Sequence, residues 1–471
     1  MALARLSTAH IGTRMGRLIR LWFATTFQAL GNPQYRLLWI SSLFSMLAFM
    51  MQWTVQAVVA FDLAGTNSAV GLVQLGIGLS MLILGPFGGV IADRVSKKPM
   101  VMWGQLIIAA SFFATGAMIL AGALTLVWLV LLTAIMGLVF AFLSPALQAW
   151  VGEMVPQRML PNAVALSQLA ANGSRVVGPF VAGAMLGSAA IGAGGAYIFM
   201  GALFVLVLCT VSRLPSTRAK PDAERRAVTT ELMAGIQYVA RDPAIRALML
   251  IFVAVVVLGF MWQIVLPAML ERHLGRSPTD IGMILTVNAV AALVVALPLA
   301  GIVGTRWAWP AMFACITLLG IGFLLLAVAP SFESALLATL ALGPGLSGFM
   351  LVNNALTMSR TDPGYFGRVM SLTMLAWGFQ GALSLPFGML ADAIGERQML
   401  GIAGILLLII AVVGGLLTLR LARRGDLAPM VANVDKFAKE ESVGKMENAK
   451  KVDSSGSEVA SVPPGSPSGG D

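Results

Sequence analysis

Apolar residues run along this chain in blocks of about twenty, broken by short polar joints, rather than at the alternating or three-to-four spacing of a half-buried element. A bilayer core about 30 Å thick needs roughly 20 helical residues to cross it. Twelve blocks have that length: residues 37–61, 69–92, 100–123, 125–150, 161–187, 195–212, 247–270, 281–304, 310–329, 334–358, 367–391 and 398–420. Each is read as one spanning helix, because a segment in lipid must satisfy its own backbone. The pattern predicts an all-α polytopic membrane protein. It has an N-terminal arm (1–36), a six-helix bundle (37–212), a central loop (213–246), a second six-helix bundle (247–421) and a tail (422–471).

The joints carry the charge. With the N-terminus in the cytoplasm, 27 of the 31 Lys and Arg residues fall on that side. Only Arg272, Arg276 and Arg397 fall on the other, and Arg175 lies within a span. Such a bias sets orientation, so both termini are expected in the cytoplasm of a cell with an inner membrane. It also accounts for the net charge of +10 without a nucleic-acid partner. The arginine-rich arm suits an interfacial helix over Arg17–Leu30, although a transit peptide has a similar look. The tail mixes Lys and Glu with Ser, Pro and Gly and is expected to be disordered.

Composition narrows the chemistry. The chain is 58% hydrophobic and only 11% charged, against about 25% charged in soluble domains. Its two cysteines, Cys209 and Cys315, sit in separate apolar blocks, and its two histidines, His10 and His273, in separate polar segments. These make neither a disulfide framework nor a usual metal or haem site. No Gly-x-x-x-x-Gly-Lys-Ser/Thr loop is present to hold ATP. A cofactor-free, non-enzymatic protein is expected.

The two halves echo each other. Pro86-Phe-Gly-Gly-Val-Ile-Ala-Asp-Arg94 and Pro298-Leu-Ala-Gly-Ile-Val-Gly-Thr-Arg306 share proline, glycine and arginine, and both close an even-numbered span on the same side. Pro179-Phe180 and Pro386-Phe387 repeat more weakly. Two pseudo-symmetric six-helix bundles in parallel orientation follow, with a binding site between them.

The decapeptide Gly89-Val-Ile-Ala-Asp93-Arg94-Val-Ser-Lys97-Lys98 joins the second and third spans. It resembles the Gly-x-x-x-Asp-Arg-x-x-Arg/Lys-Arg/Lys signature of the major facilitator superfamily, in the same loop. Asn32-Pro-Gln-Tyr-Arg36, Ser144-Pro-Ala-Leu-Gln-Ala, Gly178-Pro179 and Gly367-Arg368-Val-Met-Ser are similar to the branch of enterobactin exporters and macrolide-efflux proteins. The likeness covers about residues 25–420. It implies alternating access and export from the cytoplasm. It also implies a conformational latch in which Asp93 and Lys97 pair with Glu153, although Glu153 could be a plain loop charge. The partial fifth-span motif Gly178-Pro179-Phe-Val-Ala-Gly183 resembles that of drug–proton antiporters, although small residues for close packing would read the same way.

Polar residues inside spans are candidates for the cavity. Gln168, Asn172 and Arg175 share one helical face; Arg175 would attract a polar or anionic group, or else tie to nearby carbonyls. Gln52, Gln56, Gln263, Asn288, Asn353, Asn354 and Gln380 would either reach substrate or bridge helices. No acid lies near mid-membrane; Asp62 reads as a boundary charge at the outer end of the first span or a coupling site, and otherwise proton coupling would run through the latch at Asp93 and Glu153 or be absent. The expectation is a monomeric secondary exporter of amphiphilic drugs, macrolides or siderophore-like compounds, with protons as coupling ion. An importer or facilitator of a small polar metabolite is the alternative.

Overall fold

The computed structural model describes residues 28–94, 96–154, 156, 159–215, 228–303, 305, 307–362 and 365–423; within helices the side chains of 86, 88–94, 144–145, 148–149, 151–154, 160–161, 164, 228–232 and 421–423 are outside that description. The expected arm helix before Gln28 and the tail after Arg423 lie outside the described residues.

The first bundle is α1 (Pro33–Ala64), α2 (Asn67–Arg94), α3 (Lys97–Leu120), α4 (Leu126–Met154), α5 (Leu160–Leu186) and α6 (Gly192–Ser212). Within the central loop, Val228–Arg241 forms a short helix, α7. Its Tyr238 stacks on Tyr365 with ring centroids 4.2 Å apart, next to the start of the eleventh span. The second bundle is α8 (Pro243–Gly259) with α9 (Met261–Leu274), then α10 (Ile281–Ile302), α11 (Ala308–Ala327), α12 (Phe332–Arg360), α13 (Phe366–Ile394) and α14 (Glu396–Arg423). All twelve expected spans are helical; the seventh is broken at Phe260, between α8 and α9. Among the described residues, eleven segments are apolar and long enough to cross a membrane. The fifth span, α5, is not among them, because Gln168, Asn172 and Arg175 lower its hydropathy.

Each bundle opens with the same cap. Asn32 Oδ1 accepts from the amides of Gln34 (3.0 Å) and Tyr35 (3.4 Å), with Pro33 in the first turn. Asp242 Oδ1 accepts from Ala244 (2.7 Å) and Ile245 (3.1 Å), with Pro243 in the first turn. A side-chain acceptor satisfies amides the helix cannot, and proline fits where no amide is needed. The pair Asn32-Pro33-x-x-Arg36 and Asp242-Pro243-x-x-Arg246 extends the internal repeat. It also explains why the seventh span starts at Pro243, four residues before the apolar run.

Packing repeats as well. In the first bundle α1 packs on α5 and α6, α2 on α4, and α3 on α4 and α6. In the second, α8 packs on α13 and α14, α10 on α12, and α11 on α12 and α14. The bundles meet chiefly along two seams, α2 against α13 and α5 against α10. Because each bundle crosses six times, α1 begins and α14 ends at one face, called here the terminal face; the other is the opposite face.

Candidate transport cavity and its closure

Glycines on the four seam helices report where the bundles touch. Toward the opposite face they are in contact. A Cβ on Gly78 would collide with Gly381, and one on Gly71 with the Ser384 carbonyl. One on Gly378 would lie 2.8 Å from Leu82 Cα, and one on Gly183 2.8 Å from Gly282 Cα. Toward the terminal face, Gly85 on α2 and Gly367 on α13, which lie within about 40° of that seam's contact line, have nothing among the described residues within 4 Å of an added Cβ. The α2–α13 seam therefore closes toward one face and opens toward the other. Small residues allow this closeness because in lipid the backbones themselves must pack.

Helix α5 carries a polar stripe. Gln168, Asn172 and Arg175 are all exposed and fall within an arc of about 60° on α5. Exposed Leu169, Val177 and Phe180 lie on a second arc roughly 130° away, which suits lipid. The polar arc points to the side on which Pro179 and Gly183 meet Gly282 of α10, one turn nearer the opposite face. Arg175 thus sits just beneath the seal, about 22 Å along the helix from Leu160. No hydrogen bond or ion pair ties it to another described residue.

The other candidate polar residues divide. Gln52 and Gln56 are buried on α1, and Gln52 Nε2 donates to Gln56 Oε1 at 3.0 Å and to the Met136 sulfur at 3.5 Å. Gln380 is buried, with Nε2 3.5 Å from Ser384 Oγ. Asn353 is fully buried on α12, with neither amide atom partnered. Asn288 is half-buried, with its backbone against Gly343 of α12, inside the second bundle. Asn354 is half-buried, and so is Gln263, three residues past the break at Phe260. Helix breaks at membrane depth mark binding regions in many transporters.

The motif residues are placed as follows. The side chains of Gly89, Asp93, Arg94 and Glu153 lie outside the described residues. Lys97 is buried at the start of α3. Lys98 Nζ donates to the carbonyls of Ser212 (2.7 Å) and Leu214 (2.6 Å), so it caps the end of α6. A cation at a helix C-terminus is favoured by unsatisfied carbonyls and the helix dipole. Gly178 packs on α1, where an added Cβ would lie 2.6 Å from Met50 Cβ, and Pro179 and Gly183 pack on α10. The fifth-span motif is therefore a contact strip by which α5 meets its own bundle on one side and the other bundle on the next.

Sequence reasoning missed a polar clasp across the closed face. Asp392, near the end of α13, accepts from the backbone amides of Asn67 (2.8 Å) and Ser68 (2.9 Å). A carboxylate from the second bundle thus caps α2 of the first. Asn67 Nδ2 also donates to Asp392 (3.0 Å) and to Glu396 Oε1 (2.8 Å). Glu396 is buried and further held by Arg272 at 2.7 Å and His273 Nε2 at 3.0 Å. Arg272 in turn donates to the Gly65 carbonyl. Among the described residues, these groups join the bundles by charge-assisted bonds, which exceed neutral ones in strength.

Comparison with known proteins follows from this geometry. A sequence model of the transmembrane secretion effector family matches residues 24–444. The chain is 25% identical over 345 residues to macrolide efflux protein A of Streptococcus pyogenes, covering 71% of this chain and 84% of that one. It is 24% identical over 316 residues to a macrolide efflux protein A of Enterococcus faecalis, covering 66% and 96%. It is 27% identical over 269 residues to the multidrug resistance protein MdtH of Aeromonas salmonicida, covering 56% and 64%. Among solved structures, a peptide transporter aligns with TM-score 0.67 at 16% identity, over 83% of this chain and 95% of that one. The nucleoside transporter NupG aligns with TM-score 0.65 at 12% identity, over 81% and 98%. At such identity these two speak for the fold alone.

Proposed function

The chain belongs to the transmembrane secretion effector family of the major facilitator superfamily, and from that premise we propose that it exports amphiphilic small molecules across the cytoplasmic membrane, by alternating access and in exchange for protons. It is a multi-pass membrane transporter with efflux relatives. The finer reading, a macrolide-, drug- or siderophore-like cargo, draws on the names of those relatives. The lysine and arginine bias supports a cytoplasmic terminal face.

The observation that carries the reading is the lopsided seam. Four interface helices touch toward the opposite face and the α2–α13 seam opens toward the terminal face, which supports a cavity reached by the exposed polar stripe of α5. An exporter loads from the cytoplasm, so this is the loading state. Arg175 would then meet a polar or anionic group of the cargo while apolar walls take the rest. The signature loop would form the counterpart latch: Asp93, Lys97 and Glu153 would close the cytoplasmic face when the clasp at Asn67, Asp392 and Glu396 lets go. Gly89 would allow the close approach, and Arg94 and Lys98 would hold the loop in place.

The test uses inside-out vesicles holding the purified protein and an acid-inside gradient. Labelled erythromycin should accumulate in the lumen and should speed dissipation of the gradient. Asp93→Asn should lower both at least tenfold with unchanged protein amount. Accumulation without gradient loss would remove proton exchange from the account. Failure to accumulate erythromycin, a catechol siderophore or a neutral dye would remove export.

A further inference from the structure

Inside the first bundle, apart from the polar stripe of α5, lies a cavity of about 190 Å³ walled by α1 to α6. Two aromatic pairs line it. Phe49 and Phe140 stack at 4.8 Å with planes 4° apart, and Phe112 and Phe204 lie 5.4 Å apart at 58°. Gln105 of α3 also lines the cavity while itself having no exposed surface. Neither Nε2 nor Oε1 of Gln105 has a hydrogen-bond partner among the described residues. Gln52 Oε1 and Ser45 Oγ, on the α1 wall, are also buried without partners among the described residues.

An amide buried with both ends unmatched carries a desolvation cost of about 1–3 kcal/mol. Nearly all buried polar groups in folded proteins are matched, so this one requires an account. A lipid-facing site would not supply it, because Gln105 points inward. We propose that the cavity is a binding subsite for an uncharged aromatic ring bearing an adjacent donor and acceptor, as in a lactam or carboxamide. Gln105 would pair with both groups at once, since its amide offers a donor and an acceptor side by side. The four Phe rings would take the ring faces, which favour offset or edge contacts. A charged ligand is disfavoured, because no counter-charge lines the cavity and an unpaired buried ion is costly. Apolar walls with a few placed polar groups are the usual form of a small-molecule site. The proposal deepens the export reading and rests on it for the route by which ligand arrives.

A matched pair of fluorescent probes tests it: 7-amino-4-methyl-2-quinolinone, a lactam, and 7-amino-4-methylcoumarin, the lactone that lacks the ring N–H. Equilibrium binding is measured on purified, unenergised protein in nanodiscs. The wild type should bind the lactam about tenfold more tightly than the lactone. In Gln105→Met, which keeps the volume and removes the amide, that preference should vanish with no fall in melting temperature. Ala171→Phe, which places a ring in the cavity wall, should abolish binding of both, and it serves if Gln105→Met does not fold. Equal affinities in the wild type, a preference that survives Gln105→Met, or binding that survives Ala171→Phe would each overturn the proposal. A lower melting temperature with the preference intact would overturn it too, by making Gln105 a packing residue. None of these readings depends on transport. Loss of erythromycin accumulation with the lactam preference intact sinks the export reading alone.

Discussion

In the proposed function, Arg175 is the residue on which cargo recognition would turn. A charge within a span is tolerated when it faces a cavity or a partner, and here no described partner holds it. Arg175→Ala should therefore weaken binding of anionic or strongly polar cargo by about tenfold, the scale of one charge-assisted bond, while the melting temperature stays within a few degrees. Arg175→Lys should restore part of the affinity. Titration of purified protein with an anionic and a neutral dye checks this; equal losses for both dyes, or a collapse in stability, would make the arginine structural. Arg175 was legible in the sequence because one charge interrupts a long apolar run. Gln105 was not, since a lone amide in a span reads equally well as an interhelical hydrogen bond. Only the fold shows that it has no such bond and faces a cavity. The same applies to Gln52 and Gln56: their shared face was visible from the spacing of four, but their mutual bond needed side-chain geometry.

At the scale of elements, the α2–α13 and α5–α10 seams are strips of glycine and small residues that permit backbone contact. Adding bulk there should wedge the seam apart. Gly381→Val, set against Gly78, should shift the protein away from the state closed at the opposite face. It should raise maleimide labelling of a cysteine placed at Ser68 at least severalfold and abolish transport, with membrane insertion intact. Unchanged labelling would mean the seam is not a moving contact. The spans themselves were almost wholly legible, because lipid imposes a length and an apolar character that a single sequence displays. Three elements were not. The break at Phe260 follows Gly259 and lies inside an uninterrupted apolar run. Helix α7 is short, amphipathic and bounded by polar sequence, so it reads as loop. The start of α8 was set by the Asp242-Pro243 cap rather than by hydropathy.

At the scale of the molecule, the proposed cycle has two bundles alternating between seals, each with a polar fastening. The proposed cytoplasmic one is read from a local signature, since Gly89 to Lys98 are contiguous. The opposite one was not, because Gly65, Asn67, Arg272, His273, Asp392 and Glu396 come from three distant parts of the chain and no local pattern joins them. Glu396 is the hub, with three bonds, one each from Asn67, Arg272 and His273. Glu396→Gln should leave Asn67 a partner but loosen Arg272 and His273. It should therefore favour the alternate state, and raise the same Ser68 labelling without lowering protein yield; labelling equal to wild type would show the clasp does not bear on the equilibrium.

The most direct test of alternating access is a pair of distances measured by electron–electron resonance on spin labels, in a background where exposed Cys209 is replaced by serine. One pair, Ala123→Cys with Glu333→Cys, spans the bundles at the opposite face. The other, Arg213→Cys with Thr305→Cys, spans them at the terminal face. The account predicts that cargo and an acid-outside gradient lengthen the first distance and shorten the second together. Distances that stay fixed, or that move in the same direction, would contradict it.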